Sequence, residues 1–121
     1  MNIVITNNPM VRDKANMPAG LYKIEFFDTD YLGVLKTARD KVHLGHALLT
    51  HPLSGSVKPG ETPYKTVIVS GDTGQLDEKA LSIIEESIQT CLKLATGGGA
   101  GKAVREDLLA DFQLVDYSLV F

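Results

Sequence analysis

Ile3-Val4-Ile5-Thr6-Asn7-Asn8-Pro9 is a β-branched run cut short by turn formers. Consecutive β-branched apolar residues predict a strand covered on both faces, hence a central strand between helices. Asn favours turns and Pro9 cannot donate to a sheet ladder, so the strand ends there. Working outward, residues 10–16 suit a short helix closed by Pro18 and Gly20, and residues 22–27 a second strand. Asp28 or Thr29 is placed to cap a helix from Asp30 to about Leu44, with Leu32, Leu35, Ala38 and Val42 on one face and Gly45 as a left-handed C-cap. Residues 46–51 and 65–70 read as third and fourth strands, and Gly71-Asp72-Thr73-Gly74 as a turn. Asp77 caps the longest helix, to about Ala95, with Leu81, Ile84, Ile88 and Cys91 or Leu92 turned inward. The glycine-rich residues 97–101 break it, and a last helix covers residues 102–112. Alternation at Val115, Tyr117 and Leu119 predicts a closing strand, a continued helix being the alternative. This order predicts one α/β domain over residues 1–121. Its expected form is a small three-layer sandwich, with a mostly parallel central sheet of four or five strands flanked by helices and strands 1, 3 and 4 parallel.

Composition narrows the function. Twelve Lys+Arg against fifteen Asp+Glu give a net charge of −3 over 121 residues. That balance argues against nucleic-acid or anionic-membrane partners, which need a basic surface. A single cysteine excludes an internal disulfide framework and a four-cysteine zinc site. No apolar run reaches a membrane span, and the N-terminus lacks the basic start of a signal peptide, so the expected location is the cytoplasm. Oligomerisation is left open.

Residues 50–65 (THPLSGSVKPGETPYK) stand out because they join two expected strands without any periodicity. Such long connections are uncommon in compact domains and are often functional. Pro52, Pro59 and Pro63 stiffen the segment, and Thr50, His51, Ser54, Ser56, Lys58, Thr62 and Lys65 make it polar. Ser54-Gly55-Ser56 can turn backbone N–H groups toward one point while Lys58 adds charge, as in a nest for phosphate or carboxylate. Asn7 and Asn8 follow strand 1; if strands 1 and 3 are parallel neighbours, they face the same crevice as Thr50 and His51. The bland alternative is a stiff surface loop with incidental polarity.

Other signals are weaker. His43, His46 and His51 crowd into nine residues, but a strand between the last two holds them roughly 16 Å apart, too far to share one ion. His43 suits the dipole at a helix end. A Ser–His pair around His51 lacks the Gly-x-Ser-x-Gly elbow. Residues 96–103 (TGGGAGKA) fail the phosphate-loop pattern at Thr96 and Ala103. Cys91, on an inward stripe, reads as a structural thiol. No metal or cofactor motif remains.

The run His51-Pro52-Leu53-Ser54-Gly55-Ser56-Val57-Lys58-Pro59, followed by Glu61-Thr62-Pro63-Tyr64-Lys65, resembles the signature of the GrdX family. Ile5-Thr6-Asn7-Asn8-Pro9, the approach Val42-His43-Leu44-Gly45-His46 with Leu48-Leu49-Thr50, and the tail Asp116-Tyr117-Ser118-Leu119 resemble it too. Residues 97–101 look like a departure. The resemblance implies a cytoplasmic accessory protein, encoded beside the selenium-dependent glycine, sarcosine and betaine reductases of anaerobic amino-acid-fermenting bacteria. It carries no assigned catalytic residue and no established activity. The expected role is to bind a small anionic ligand or a reductase component through Asn7, Asn8, Thr50, His51, Ser54, Gly55, Ser56, Lys58, Thr62 and Lys65. Two alternatives stand beside it. One is an enzyme acting on a small phosphorylated or carboxylated metabolite with His51 as acid/base, and the other is a purely structural docking module.

Overall fold

The computed structural model describes residues 1–14, 20–53, 62–96 and 108–120. Its elements run β1 (Asn2–Thr6), α1 (Pro9–Lys14), β2 (Tyr22–Phe26), α2 (Tyr31–His43), β3 (His46–Leu48), β4 (Thr66–Thr73), α3 (Glu78–Thr96) and α4 (Leu109–Val120). Expectations falling on residues 15–19, 54–61 and 97–107 lie outside the described residues. These include the end of the first short helix at Pro18, the break at residues 97–101 and the start of the last helix.

Four strands form one open sheet in the order β2-β1-β4-β3. As expected, β1 is central. Its side chains alternate between two apolar clusters, Ile3 and Ile5 joining one and Val4 the other. The first cluster adds Val34, Leu35 and Ala38 of α2 and Ile84, Ile88 and Cys91 of α3. The second adds Val11 of α1, Ile68 of β4 and the half-buried Tyr117 of α4.

The sheet is mixed, which corrects the expectation of a mostly parallel one. β1 pairs with β2 in parallel, whereas β4 is antiparallel to both β1 and β3. A parallel pair needs a crossover, which α1 supplies between β1 and β2; an antiparallel pair needs only a connection that turns back. Strands β1 and β3 are therefore not neighbours, because β4 lies between them.

Local departures have local causes. The N-cap of α2 is Asp30, whose carboxylate accepts from the Gly33 N–H, rather than Asp28 or Thr29. Helix α1 starts at Pro9, with Asn8 as its cap accepting from Met10 N–H at 3.0 Å, so the turn signal was also a helix start. Residues 71–73 continue β4 instead of turning, since Thr73 pairs with His46 across an irregular register. The closing strand is absent, residues 115–120 being part of α4. Val115, Tyr117 and Leu119 alternate, but Phe112, Val115 and Leu119 recur at helical intervals, and their lining of one cavity follows the helical spacing. α3 packs chiefly on α2 rather than directly on the sheet, and Leu92 is exposed.

Gly45 ends α2 in the left-handed region, φ 100°, and a side chain there would collide with the backbone of Gly74. Its carbonyl also accepts from the Gly74 N–H at 3.0 Å, tying the end of α2 to the segment after β4. Gly45→Ala should therefore cost at least about 1–2 kcal/mol in denaturant melts. Ile84 of α3 is fully buried in the cluster shared with α2 and the sheet, so Ile84→Ala should cost about 2–5 kcal/mol in the same assay, a loss near zero contradicting the packing.

Candidate functional site

Strand directions define one edge. β1, β2 and β3 run the same way and β4 runs against them. The residues after β1, β2 and β3 and those before β4 therefore meet at one end of the sheet. Asn7, Asn8, Thr50, His51, Thr62 and Lys65 all stand at this edge. It forms through β4 rather than through adjacency of the first and third strands. Ser54, Gly55, Ser56 and Lys58 lie outside the described residues.

The two asparagines hold the edge together. Asn7 donates through Nδ2 to Thr29 O and to Pro63 O, both at 2.8 Å, and its Oδ1 accepts from Lys65 N–H at 2.9 Å. One side chain thereby joins the segment leaving β2 to the segment entering β4. Asn8 donates through Nδ2 to Gln113 O and to Asp116 Oδ2, both at 2.9 Å. Thr66 donates to the same carboxylate oxygen at 2.7 Å, and Thr6 Oγ1 lies 2.8 Å from Thr66 Oγ1. Because Thr66 gives its single proton to Asp116, Thr6 donates to Thr66. Asn8 N–H completes the relay by donating to Thr6 Oγ1 at 3.0 Å.

The other expected residues have local duties. Thr50 Oγ1 accepts from Ile68 N–H at 3.0 Å, satisfying β4 beyond the end of β3. His51 is exposed and its Nδ1 accepts from Leu53 N–H at 3.0 Å. Thr62 is buried and accepts from Tyr64 N–H at 3.2 Å. His43 is exposed at the end of α2, while His46 donates from Nδ1 to Ser70 O at 2.6 Å. Among the described residues no group of three or more His, Cys, Asp or Glu side chains is placed to hold a metal ion, and no helix is long and apolar enough to cross a membrane.

Lys65 differs in kind. It is only 4% exposed, and its ammonium lies 6.0 Å from the centre of the Tyr31 ring. Burial pushes the Lys65 ammonium below the ordinary lysine range, and the charge of Asp116 opposes that shift. Burial, helped by Cys91 and Asp116, raises the Tyr31 phenol well above its usual range, so it stays a hydroxyl at neutral pH. Burial also raises the Cys91 thiol, with Asp30 adding to the effect.

A cavity of about 10 Å³ lies between this edge and α4, at the lower limit for one water molecule. Tyr31, Thr62, Tyr64 and Lys65 line it on the edge side; Phe112, Val115, Asp116 and Leu119 line it from α4. Gln113 Nε2 donates to Tyr64 OH at 3.0 Å beside it. Sequence reasoning missed Thr6, Tyr31, Thr66 and Gln113. For Asp116 a signal existed, a lone acid within Leu114-Val115-Asp116-Tyr117-Ser118-Leu119-Val120.

The lowered Lys65 makes a pH test available. In the window between its folded pKa and its ordinary 10.5, the unfolded chain binds more protons than the folded one, so stability rises with pH there. Tyr31, shifted upward, lowers stability only above its usual 10.0. As the pH rises toward that ordinary value, the wild type should therefore gain stability relative to Lys65→Met in denaturant melts. A constant difference would show a solvated ammonium.

Comparison with known proteins adds one finding. The model of the family described as GrdX-like protein matches residues 3–121, nearly the whole chain. No curated protein and no solved structure matches it significantly.

Proposed function

Because the chain belongs to the GrdX-like protein family, we propose that it is a cytoplasmic accessory protein of glycine, sarcosine and betaine reductase metabolism that holds a small anion at Lys65. The observation that carries this reading is an ammonium group withdrawn from water at the edge where three strands end, beside a cavity. The charge of Asp116 already favours the Lys65 ammonium, and an anion at the same place would add to it. An anion entering beside Tyr31 and Thr62 would meet a cation and two hydroxyl groups. In this reading Asn7 and Asn8 shape the edge rather than touch the ligand, and Thr50 and His51 support its outer turn. Ser54, Gly55, Ser56 and Lys58 belong to the same connection by sequence and lie outside the described residues.

The test is a thermal-shift screen of inorganic phosphate, acetate and small amino acids on wild type, Lys65→Met and Lys58→Ala. A binder should stabilise the wild type as RT ln(1 + [L]/Kd) and lose most of that effect in Lys65→Met. Hits that stabilise Lys65→Met equally would place the ligand elsewhere. If nothing binds and the variants instead lose association with a reductase component, the docking function replaces ligand binding.

A further inference from the structure

We propose that β2 is the interface of a twofold-symmetric dimer, in which the β2 edges of two copies of this chain pair antiparallel about Ile24 and join their sheets into one. The surface lies on the outer strand of the sheet, and the inference does not depend on anion binding at Lys65.

The first argument is which backbone groups face outward. β2 ends the sheet order, and among the described residues β1 is the strand it pairs with. Leu21 O accepts from Asn2 N–H at 2.8 Å and Phe27 N–H donates to Thr6 O at 2.9 Å. The odd-numbered residues of this segment therefore turn their backbone groups toward β1. Tyr22, Ile24 and Phe26 alternate with them and turn theirs to the open side, where no described residue bonds them. Such a row of donors and acceptors is a template for a further strand. The opposite edge offers less, since β3 has 3 residues and pairs through an irregular register.

The second argument is that this edge complements a copy of itself. Leu21-Tyr22-Lys23-Ile24-Glu25-Phe26-Phe27 is symmetric about Ile24, with aromatic and apolar residues outside and opposite charges inside. Antiparallel pairing centred there sets Ile24 against Ile24, Tyr22 against Phe26, Lys23 against Glu25 and Leu21 against Phe27. The outward-facing residues become the hydrogen-bonded pairs. Lys23 and Glu25 fall at the non-hydrogen-bonded pairs, where side chains approach most closely. Parallel pairing in register would instead oppose like charges, so charge selects the antiparallel arrangement. The Lys23 side chain is 63% exposed, and its Nζ stands 3.8 Å from Glu25 Oε2, while Lys41 of α2 lies 3.5 Å from Glu25 Oε1. Lys23 can thus turn to the second copy while Lys41 keeps Glu25 company. Leu21, 57% exposed in one copy, gains an apolar neighbour. A lone lysine on an edge strand repels its own copy; with Glu25 two residues on, the same charge attracts in one register.

Sedimentation of the whole chain over a concentration series reaching about 1 mM tests the dimer, because even millimolar contacts populate it there. The mass of the wild type should rise toward twice that of one chain. Lys23→Glu and Glu25→Lys each place like charges opposite one another at both symmetric pairs, so each should weaken self-association at least about tenfold. Mixed in equal amounts, the two variants regain opposite charges at both pairs, and association should return to wild-type strength. Ile24→Pro deletes an outward N–H and no bond to β1, so it should abolish the dimer even if Glu25→Lys, deprived of its contact with Lys41, folds poorly. Residue-resolved amide exchange locates the contact, and the N–H groups of Tyr22, Ile24 and Phe26 should slow as the dimer forms. A wild type that stays monomeric throughout the series overturns the proposal. So does a dimer that survives Ile24→Pro or leaves those amides unprotected, since its contact lies elsewhere. Folded charge variants that fail to associate when mixed overturn the antiparallel register.

Discussion

The carboxylate of Asp116 ties together parts of the chain that are far apart in sequence. It accepts from Asn8 after β1 and from Thr66 at the start of β4, while standing on α4. Hydrogen bonds to a charged acceptor contribute about 1.5–3 kcal/mol each, and leaving either donor buried without a partner costs a similar amount. The relay through Thr6 and Thr66 makes these contacts directional, each hydroxyl giving one proton and receiving another. This arrangement fixes α4 over the sheet end and, with it, one wall of the Lys65 cavity.

Asn7 plays the corresponding part on the other side of the same edge. It uses three hydrogen bonds to bring Thr29, Pro63 and Lys65 together. The backbone there leaves the sheet in several directions, and its polar groups would otherwise lack partners away from water. The side chain of Lys65 is thus delivered to the interior by backbone contacts, not by the apolar pattern of β4. Its ammonium sits among Tyr31, Thr62 and Asp116, where low polarity strengthens every charge it meets. The structural polar network and the proposed anion site share one cluster.

The sheet shows which kinds of inference a sequence supports. Ile3, Val4 and Ile5 announced a strand covered on both faces, because a β-branched run has no polar side to offer water. Asp77 announced the start of α3 and accepts from Lys79 and Ala80 N–H as a cap should. Gly45 announced the end of α2 through the backbone region it alone adopts easily. The antiparallel setting of β4 was not legible, since Val67, Ile68 and Val69 fit either direction. Nor was the helical state of residues 115–120, where the spacing of apolar residues satisfied two periods and packing chose one.

The sequence by itself determined that this is an α/β chain with a buried first strand, a polar connection between β3 and β4, and the family to which it belongs. Local rules suffice for these, because propensity, capping and family signatures are properties of neighbours along the chain. Tertiary structure alone decided that Asn7 and Asn8 are fasteners, that Lys65 is buried, and that Asp116 closes a cavity with Tyr31 from 85 residues away. A polar side chain carries no mark of its partner. Whether it meets water, a backbone carbonyl or an opposite charge depends on which distant segment folding brings beside it, and that is set by the pairing of β1 with β4.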